Sequence, residues 1–469
     1  MQIQNKILVA NRGEIAVRII RAAKEMGIAT VAVYSTADKD SLHVDLADEA
    51  VCIGSERSKD SYLNMNRILS AAISTGCTAI HPGYGFLSEN PKFVKLVEEC
   101  NIKFIGPKSE VMEKMGKKAE ARKIAKKNLV PIIEGSNDII KDVQEGMAVA
   151  KRIGYPVMFK ATSGGGGRGI NVVYSDQDFL KVFEKTSLEA ETSFGDKALY
   201  IEKYIDNPRH VEVQILADDY GNVVHLFERD CSLQRRNQKM IEEAPSNAVN
   251  ELLRRKLGMA AIKIAKAVGY TSAGTIEFLV DNKGKYYFIE MNARIQVEHP
   301  VTEMITGVDI VKEQIRVAFG QALSIKQRDI KILGHAIECR ITAEDPVNNF
   351  MPTPGRIKRI LVPGGMGVRF DSFIYPDYDV QPFYDSMIGK VIVVAPTRIE
   401  AIRKMRVALE QLVIEGIKTN LEYVYLITHH PDFIRGNYDT GFVAKFHSLF
   451  LEEYHETIVK WAKKTINWI

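Results

Sequence analysis

The stretch KATSGGGGRGINVV, residues 160–173, is the most informative part of the sequence for the fold. It places a run of glycines between two apolar, strand-like segments, YPVMF before the run and INVVY after it. The run contains a formal G-x-G-x-x-G. A dinucleotide-binding loop of that type leads from a strand into a helix, whereas this loop leads into a second strand. No Lys-Ser or Lys-Thr pair follows the last glycine, which excludes a Walker A loop.

The glycine loop is therefore predicted to be the tip of a hairpin between two strands. Because glycine has no Cβ atom, the N–H groups of such a tip can close over phosphate oxygens. Lys160, at the start of the loop, can add a positive charge to the same phosphates. Taken alone, the loop also fits a solvent-exposed flexible turn, so the phosphate-binding interpretation depends on the rest of the chain.

The sequence before the loop alternates strand and helix patterns over residues 1–115. The apolar segments KILVAN, ATVAVYS and TAIHPG are typical of strands, and GEIAVRIIRAAKEMG is typical of an amphipathic helix. This alternation predicts a parallel, doubly wound sheet. Its first turn, NRGE, is not a dinucleotide fingerprint, so the domain is Rossmann-like without that cofactor site.

The sequence after residue 108 changes pattern several times. SEVMEKMGKKAEARKIAKKNLV predicts one long helix, and HVEVQILAD, NVVHLFERD, TIEFLVD and KYYFIEMN alternate like antiparallel strands. Beyond residue 331 the chain is again strand-rich and then helical, and its last twenty or so residues predict an added helix. We expect an N-terminal domain at 1–115, a central domain at 116–330 that contains a small unit at 134–204 around the glycine loop, an α+β C-terminal domain at 331–448, and a tail at 449–469.

Composition narrows the class of protein. A chain of 469 residues suits about two to four domains. The net charge of +4 does not argue for nucleic acid, and no apolar run approaches the ~20 residues of a membrane span. The N-terminus lacks the apolar core of a signal peptide. The five cysteines are scattered without a C-x-x-C, which predicts reduced thiols in a cytoplasmic enzyme.

The segment TIEFLVDNKGKYYFIEMN, residues 275–292, predicts two strands around a DNKGK turn. If Asp281 pairs with Tyr286, then Glu277 lies directly opposite Glu290 on the neighbouring strand. Two carboxylates that face each other across a ladder repel and destabilise the sheet. This arrangement is expected only where something compensates the charge, or where both side chains point into solvent.

A divalent cation is the compensation that the residue types favour. Asn292 lies two positions after Glu290 and so shares its face of the strand. Two carboxylates and an amide oxygen suit Mg²⁺ or Mn²⁺ shared with substrate phosphates. The alternative is a pair of exposed carboxylates on a solvated sheet face.

Arg294, Gln296 and Glu298 continue the period of two beyond this strand. The planar guanidinium of Arg294 can hold a small oxyanion, and Glu298 is a candidate general base. A structural Arg–Glu pair is the alternative. Lys118 and Arg340 are weaker candidates on local sequence alone. Lys118 fits an ordinary solvated helix face, and Arg340 fits an ordinary cross-strand ion pair.

Taken together, the motifs resemble one known family. From KILVANRGEIAVRIIRA to about Phe446 the chain is similar to the biotin carboxylases, ATP-grasp enzymes such as the subunit of bacterial acetyl-CoA carboxylase. The blocks that carry the resemblance are HPGYGFLSEN, FIGP, KRIGYPV, GGGGRG, EKYIDNPRHVEVQ, ERDCSLQRRNQK, EMNARIQVEHPVTEMITG, GHAIECRITAEDP and YDSMIGK. The resemblance implies an N-terminal Rossmann-like parallel sheet, a central ATP-grasp domain with a mobile lid, and an α+β C-terminal domain.

The resemblance also implies the reaction and its residues. The family forms carboxybiotin from biotin, bicarbonate and ATP through carboxyphosphate, in the half-reaction that leads to malonyl-CoA and fatty acids. The implied ATP contacts are Lys118, Lys160, Gly166, Gly167, Glu202, Lys203, Tyr204, Ile205, His210, Asn237 and Leu279. The implied metal ligands are Glu277 and Glu290 with Asn292 alongside. The implied bicarbonate pocket is Lys239, Arg294, Gln296 and Val297, with Glu298 as base and Arg340 holding the biotin enolate.

The same resemblance implies the cofactors and partners. ATP with Mg²⁺ or Mn²⁺ is expected, and biotin is expected as a substrate carried by another chain, because no A-M-K-M biotinylation site occurs. A biotin carboxyl carrier protein, carboxyltransferase subunits and a homodimer follow by analogy, with no nucleic acid or membrane partner.

The chain departs from the family pattern at three places. Asn237 stands where several relatives carry histidine, Ser163 replaces a loop glycine, and Lys117 stands where an acidic residue is common. Asn237 puts one nucleotide contact in doubt.

Two other functions remain open at this stage. One is a different ATP-grasp ligase that activates bicarbonate, such as a carbamoyl-phosphate synthetase-like or an aminoimidazole ribonucleotide-carboxylating enzyme. The block GHAIECRITAEDP, which contains Arg340, argues against it. The other is a catalytically silent nucleotide-binding protein. The presence of Glu298, Arg294 and Lys239 argues against that function.

Overall fold

The computed structural model describes residues 5–136, 138–161 and 169–466. The chain opens with a parallel sheet of five strands in the order β3-β2-β1-β4-β5. Its strands are β1 (Lys6–Val9), β2 (Ala29–Ser35), β3 (Glu49–Gly54), β4 (Ala79–His81) and β5 (Lys103–Phe104). The helices of this region are α1 (Gly13–Glu25), α2 (Leu42–Leu46), α3 (Met65–Ser74) and α4 (Pro91–Glu99). The predicted Rossmann-like parallel sheet is confirmed.

The long helix predicted after this sheet is wrong, because the chain forms two helices there. They are α5 (Ser109–Gly116) and α6 (Lys118–Lys127). Lys117 between them is extended, with φ −86° and ψ 100°, and Gly116 before it is a poor helix former. The break places Lys118 in the first turn of α6, where it faces the cleft described below.

A small antiparallel sheet follows, in the order β7-β6-β8. It is made of β6 (Val157–Ala161), β7 (Ile170–Val173) and β8 (Leu199–Lys203), covered by α7 (Val143–Ile153) and α8 (Asp176–Phe194). The glycine stretch therefore joins two antiparallel strands, as the sequence predicts. Residues 162–168, which include Gly166 and Gly167, lie outside the described residues.

One eight-stranded antiparallel sheet passes through the rest of the molecule, in the order β13-β12-β9-β10-β11-β14-β21-β19. Its first five strands along the chain are β9 (Arg209–Ala217), β10 (Val223–Arg235), β11 (Gln238–Ala244), β12 (Ser272–Val280) and β13 (Tyr286–Asn292). The helices of this part are α9 (Glu251–Ala267), α10 (His299–Thr306) and α11 (Ile310–Ala318). β11 pairs with β14 (His335–Thr342), so the sheet continues across residue 330.

The remaining elements complete this sheet and cover it. The strands are β15 (Glu344–Asp345), β16 (Met351–Pro352), β17 (Gly355–Arg356), β18 (Arg359–Leu361), β19 (Val368–Ser372), β20 (Asp379–Val380), β21 (Met387–Ala395) and β22 (Val413–Glu415). The helices are α12 (Arg398–Gln411), α13 (Leu421–His429), α14 (Pro431–Arg435) and α15 (Phe442–Ile466). The predicted terminal helix is therefore part of α15, which begins before residue 449. None of the described helices is both long enough and apolar enough to cross a bilayer.

The β12–β13 hairpin holds the predicted facing carboxylates through a register different from the one expected. Tyr286 pairs with Val280, not with Asp281 as predicted. The register then shifts by one residue between Glu277 and Phe278, and this bulge brings Glu277 opposite Glu290. The prediction of facing carboxylates is confirmed although its starting pair is wrong.

Candidate active site

A cleft of about 970 Å³ opens where the three parts of the chain meet. Many of the residues that the sequence singles out line it: Lys118, Lys160, His210, Asn237, Lys239, Glu277, Leu279, Glu290, Asn292, Arg294, Gln296, Val297 and Arg340. They come from α6, from the small sheet, from five strands of the large sheet and from the loop after β13. The fold thus brings together residues more than 200 positions apart.

The predicted adenine segment, Glu202 to Ile205, does not line this cleft. It forms the end of β8 and the residues after it. The buried Glu202 carboxylate accepts hydrogen bonds from Lys160 and Arg122. Lys203 Nζ donates to the carbonyl oxygens of Gly154 and Tyr155, at 3.0 and 2.9 Å.

Asn237 lies in the tight turn between β10 and β11. Arg236 and Asn237 have φ values of 49° and 64°. Both are in the left-handed region, where asparagine is among the best-tolerated side chains other than glycine. Asparagine at this position therefore suits the turn, and its side chain still faces the cleft.

Glu298 is the centre of the charged cluster, and its backbone lies beyond the strand that carries Glu290. β13 ends at Asn292, and Glu298 lies at the N-terminal end of α10. Its buried carboxylate accepts from Lys239 Nζ at 2.6 Å on one oxygen and from Arg340 Nη2 at 2.8 Å on the other. Burial acts to raise the pKa of Glu298, but Lys239 and Arg340 hold it well below its usual value. The carboxylate is therefore ionised.

Lys239 lies between three carboxylates. Its Nζ donates to Glu212 at 2.7 Å as well as to Glu298, and it is 3.5 Å from Glu277. Burial acts to lower the pKa of Lys239, but Cys231 and these carboxylates outweigh that effect and keep the pKa well above its usual value. Lys239 is accordingly a fixed positive charge at the floor of the cleft.

Arg229 lies behind this group and is completely buried. Its Nε donates to Glu212 at 2.5 Å, and its other nitrogens donate to Gln214, Thr275 and Thr302. Burial and Glu298 raise the pKa of Glu212, while Arg229 acts in the opposite direction. Arg229 and Lys239 together compensate the second buried carboxylate of the cluster.

The facing carboxylates Glu277 and Glu290 lie next to Lys239, with Glu277 the nearer of the two. Glu277 is 2.9 Å from His210 Nε2 and accepts from Asn292 Nδ2 at 2.8 Å. Burial and the neighbouring Glu277 raise the pKa of Glu290. Lys118 Nζ is 4.0 Å from Glu290. Glu277, Glu290 and Asn292 together offer two carboxylates and an amide. This set of oxygen ligands fits Mg²⁺, which would also relieve the repulsion between the two carboxylates.

Arg294 lies in one wall of the cleft. Its guanidinium donates to Glu89 at 2.9 Å, to Gln296 at 2.7 Å and to Asn292 at 3.1 Å. These contacts hold the planar group facing the cleft beside Gln296 and Val297. The predicted bicarbonate residues are therefore adjacent in the structure.

Comparison with known proteins decides the family. The N-terminal and C-terminal domain models of biotin carboxylase match residues 3–112 and 338–445, and the ATP-binding domain model of the carbamoyl-phosphate synthase L chain matches residues 117–326. Biotin carboxylase 1 of Bacillus subtilis (strain 168) is 57% identical over 442 residues, which are 94% of this chain and 98% of that relative. The chain belongs to the biotin carboxylase family.

Solved biotin carboxylases share the fold. The enzyme from Campylobacter jejuni, solved as a beta-gamma-ATP complex, matches with TM-score 0.90 and 51% identity over 94% of this chain and 98% of that one. The biotin carboxylase domain dimer of a 2-oxoglutarate carboxylase from Hydrogenobacter thermophilus, solved with MgADP, ADP and bicarbonate, matches with TM-score 0.90 and 50% identity over 96% and 99%. A pyruvate carboxylase subunit of Methanothermobacter thermautotrophicus is 52% identical, over 94% of this chain and 90% of that one.

These matches confirm the sequence-based predictions of the biotin carboxylase family, of its three-part fold and of an ATP-dependent ligase that carboxylates biotin. Both flanking domain models are those of biotin carboxylase, which decides against the carbamoyl-phosphate synthetase-like alternative.

Sequence reasoning missed a second set of buried charges in this biotin carboxylase. Tyr84, which lines the cleft, donates to Glu14, and Glu14 lies 3.0 Å from the fully buried Lys390. Lys390 Nζ also donates to the carbonyl oxygen of Val297 at 2.7 Å. All three charged or hydroxyl-bearing residues lie in segments quoted above, Glu14 in NRGE, Tyr84 in HPGYGFLSEN and Lys390 in YDSMIGK, but nothing local in the sequence shows that they meet.

Removing Arg229 should destabilise the protein strongly. Arg229→Met leaves the buried Glu212 with one cation instead of two, and breaking a buried ion pair typically costs about 3–5 kcal/mol. We expect a lower denaturation midpoint in urea for Arg229→Met. The double variant Arg229→Met/Glu212→Gln should recover part of the loss, because no uncompensated carboxylate remains. Equal midpoints for wild type and Arg229→Met would contradict this account.

Proposed function

We propose that Glu298 is the base of the biotin carboxylase reaction. Of the residues around it, one group acts in the formation of carboxyphosphate and Arg340 acts in the carboxylation of biotin. The observation that carries the proposal is the position of its carboxylate, bonded to Lys239 on one oxygen and to Arg340 on the other. Lys239 lies toward the nucleotide side, and Arg340 lies on the C-terminal strand β14. The Glu298 carboxylate therefore contacts both the part of the site around Lys239 and the part around Arg340.

The first step is attack of bicarbonate on the γ-phosphate of ATP. Glu298 takes the bicarbonate proton, the new P–O bond gives carboxyphosphate, and ADP leaves. Arg294, Gln296, Val297 and Lys239 hold the bicarbonate, since they line one wall of the cleft beside Glu298. Lys118, Lys160 and His210 face the same cleft and hold the phosphates. Fixed positive charges of this kind stabilise the charge that develops during phosphoryl transfer.

The nucleotide needs a divalent cation, and Glu277, Glu290 and Asn292 would hold it. Bound with ATP, Mg²⁺ supplies charge neutralisation at the phosphates. We assign Asn237 and Leu279, which line the cleft, to the nucleotide, together with the Glu202–Ile205 segment and Gly166 and Gly167 of the glycine loop.

The second step transfers CO₂, released from carboxyphosphate with phosphate, to a ring nitrogen of biotin, and the proton of that nitrogen passes to the released phosphate. The guanidinium of Arg340 holds the oxygen of the biotin enolate, because it lines the cleft next to Glu298. Arginine stays charged at any working pH, which a developing enolate requires. Carboxyphosphate decomposes in water, so closure of the glycine loop over the site would protect it.

The proposal includes partners and location. The Hydrogenobacter relative was solved as a dimer, which supports a homodimer. The reaction of the family needs a biotin carboxyl carrier protein that presents the biotin and carboxyltransferase subunits that use the product, and we propose these as partners. A role in acetyl-CoA carboxylase and malonyl-CoA formation is part of the proposal and agrees with the bacterial relatives named biotin carboxylase. All five cysteines are free thiols, which supports a cytoplasmic location.

ADP release from the purified chain, with MgATP and bicarbonate and with or without free biotin, tests the proposal. We expect strong stimulation by biotin that disappears when bicarbonate is removed. ATP hydrolysis that is indifferent to biotin would contradict the assignment of the second step.

Glu298→Gln should abolish bicarbonate-dependent turnover. The amide cannot accept the proton, so we expect ADP release to fall by about 10²–10⁴-fold, the usual contribution of a general base. ATP affinity, measured by titration calorimetry, should stay within a few-fold of wild type. A variant with the wild-type rate would show that another group is the base.

Arg340→Ala should separate the two steps. We expect biotin-dependent ADP release to fall by about 10²-fold or more, as when a transition-state oxyanion donor is removed. The slow ATP hydrolysis without biotin should fall much less. Arg340→Lys is the matched control, because it keeps the charge but not the planar fork, and it should restore part of the biotin-dependent rate. Equal loss of both activities in Arg340→Ala would mean that Arg340 only supports Glu298.

A further inference from the structure

Two glutamates face each other behind Arg340 and have no part in the steps described above. Glu242 on β11 lies directly opposite Glu338 on β14. Both side chains are completely buried, at 0% exposure. Arg340 Nε donates to Oε1 of Glu242 at 2.6 Å, and the other three carboxylate oxygens of the pair have no hydrogen-bond partner among the described residues.

The surroundings of this pair explain why its oxygens stay unpartnered. An apolar cluster that includes Ala336 and Ile392 of the same sheet, with Val301 and Ile305 of α10, packs around it. Lys390, on β21 beside Arg340, is engaged by Glu14 and the Val297 carbonyl. The charged groups that act on the pair are Lys239 on β11, Arg340 on β14, Lys390 on β21 and Glu298 at the start of α10. Two buried thiols also lie near it, Cys231 on β10 and Cys339 on β14.

Two ionised carboxylates side by side in such a site repel each other at close range. Burial raises the pKa of Glu338 well above its usual value, against the pull of Lys390. Burial and Glu298 raise the pKa of Glu242 to about 7, against the pull of Arg340. A single proton removes one of the two charges. It also lets one carboxyl donate to the other, which satisfies oxygens that otherwise lack partners.

We propose that Glu242 and Glu338 hold one proton between them, and that this proton determines how much of the charge of Arg340 is available to the biotin oxygen. The second half of this inference rests on the role proposed above for Arg340. Arg340 already neutralises Glu298, which it touches at 2.8 Å. When the pair carries one negative charge, part of the guanidinium charge is left for the substrate. When the pair carries two, Arg340 is held more strongly by Glu242 and less of its charge reaches the cleft.

The sign of the pH effect follows from this arrangement. The pair holds its proton below the raised pKa values and loses it as the pH rises through them. The biotin-dependent rate should therefore fall on the basic side of its pH profile. ATP hydrolysis without biotin, which makes no use of the contact between Arg340 and biotin, should fall less over the same range. Glu242 and Glu338 are positioning residues, since neither touches the substrate.

Glu338→Gln is the decisive variant. Glutamine stays neutral at every pH, and its amide can donate to the free oxygen of Glu242, so it imitates the pair with its proton in place. We expect the basic limb of the biotin-dependent profile to move upward by about one pH unit or more, while the profile without biotin stays in place. A limb that coincides with that of wild type, or profiles that move together, would overturn the proposal.

Glu313→Gln is the matched control. Glu313 is also a buried glutamate, but it is paired with Arg316 and Ser324 far from the cleft. The same chemical change at that position should leave both pH profiles where they are in wild type. A shift in this control equal to that of Glu338→Gln would also overturn the proposal, because the effect would then be general.

Infrared difference spectroscopy tests the proton without using activity. The wild-type chain minus Glu338→Gln should show the carbonyl stretch of a protonated carboxyl at neutral pH, and this band should fade as the pH rises. Absence of the band would overturn the shared proton. If the band is present but biotin stimulates the wild type at no pH, the proposed function of Arg340 fails and the shared proton stands.

Discussion

A buried carboxylate that must stay ionised is the constraint on which this active site depends. Glu298 is 0% exposed, and an isolated charge in such a place would take up a proton. Lys239 and Arg340 prevent this by bonding to its two oxygens. Each of these cations needs further anions of its own, so the cluster extends outward from Glu298 until the charges are balanced. The buried polar network is therefore large because one buried group, Glu298, has to stay ionised.

The connectivity of the large sheet makes this network possible. Lys239 lies on β11 and Arg340 on the adjacent β14, so hydrogen-bonded strands fix the spacing of the two cations. Glu298 arrives from the other side, at the first turn of α10, which packs on the same strands. Rigid strands position such groups more accurately than loops do. Three of the residues assigned to bicarbonate, Arg294, Gln296 and Val297, lie on the loop just before α10, and the fourth, Lys239, lies on β11.

The local pattern of the chain was predictable, and the long-range pairing of charges was not. Alternation of strands and helices identified the parallel sheet, because each strand is a short apolar run that its neighbours bury. The facing of Glu277 and Glu290 was predicted from an incorrect starting pair at the turn. The bulge between Glu277 and Phe278 shifts the register by one residue, and this shift cancels the error. A bulge leaves no compositional signal in so short a strand.

The buried ions illustrate why the rest was missed. Arg229 and Lys390 look in the sequence like ordinary surface charges, because the partners that make their burial tolerable lie far away along the chain. The interruption at Lys117 was missed because the helical pattern runs on through it, although Gly116, a poor helix former, stands just before it. Family resemblance named the reactive residues, but only the three-dimensional arrangement shows which carboxylates share cations.

The pairing of β11 with β14 also limits how this protein can be taken apart. A truncated chain that ends near residue 330 would expose the edge of β11, and the complementary piece would expose the edge of β14. Unpaired edges of this kind invite association with other chains. Exchange of modules between relatives is therefore expected to succeed at the small β7-β6-β8 unit, which has a sheet of its own, and to give insoluble hybrids at the seam between β11 and β14.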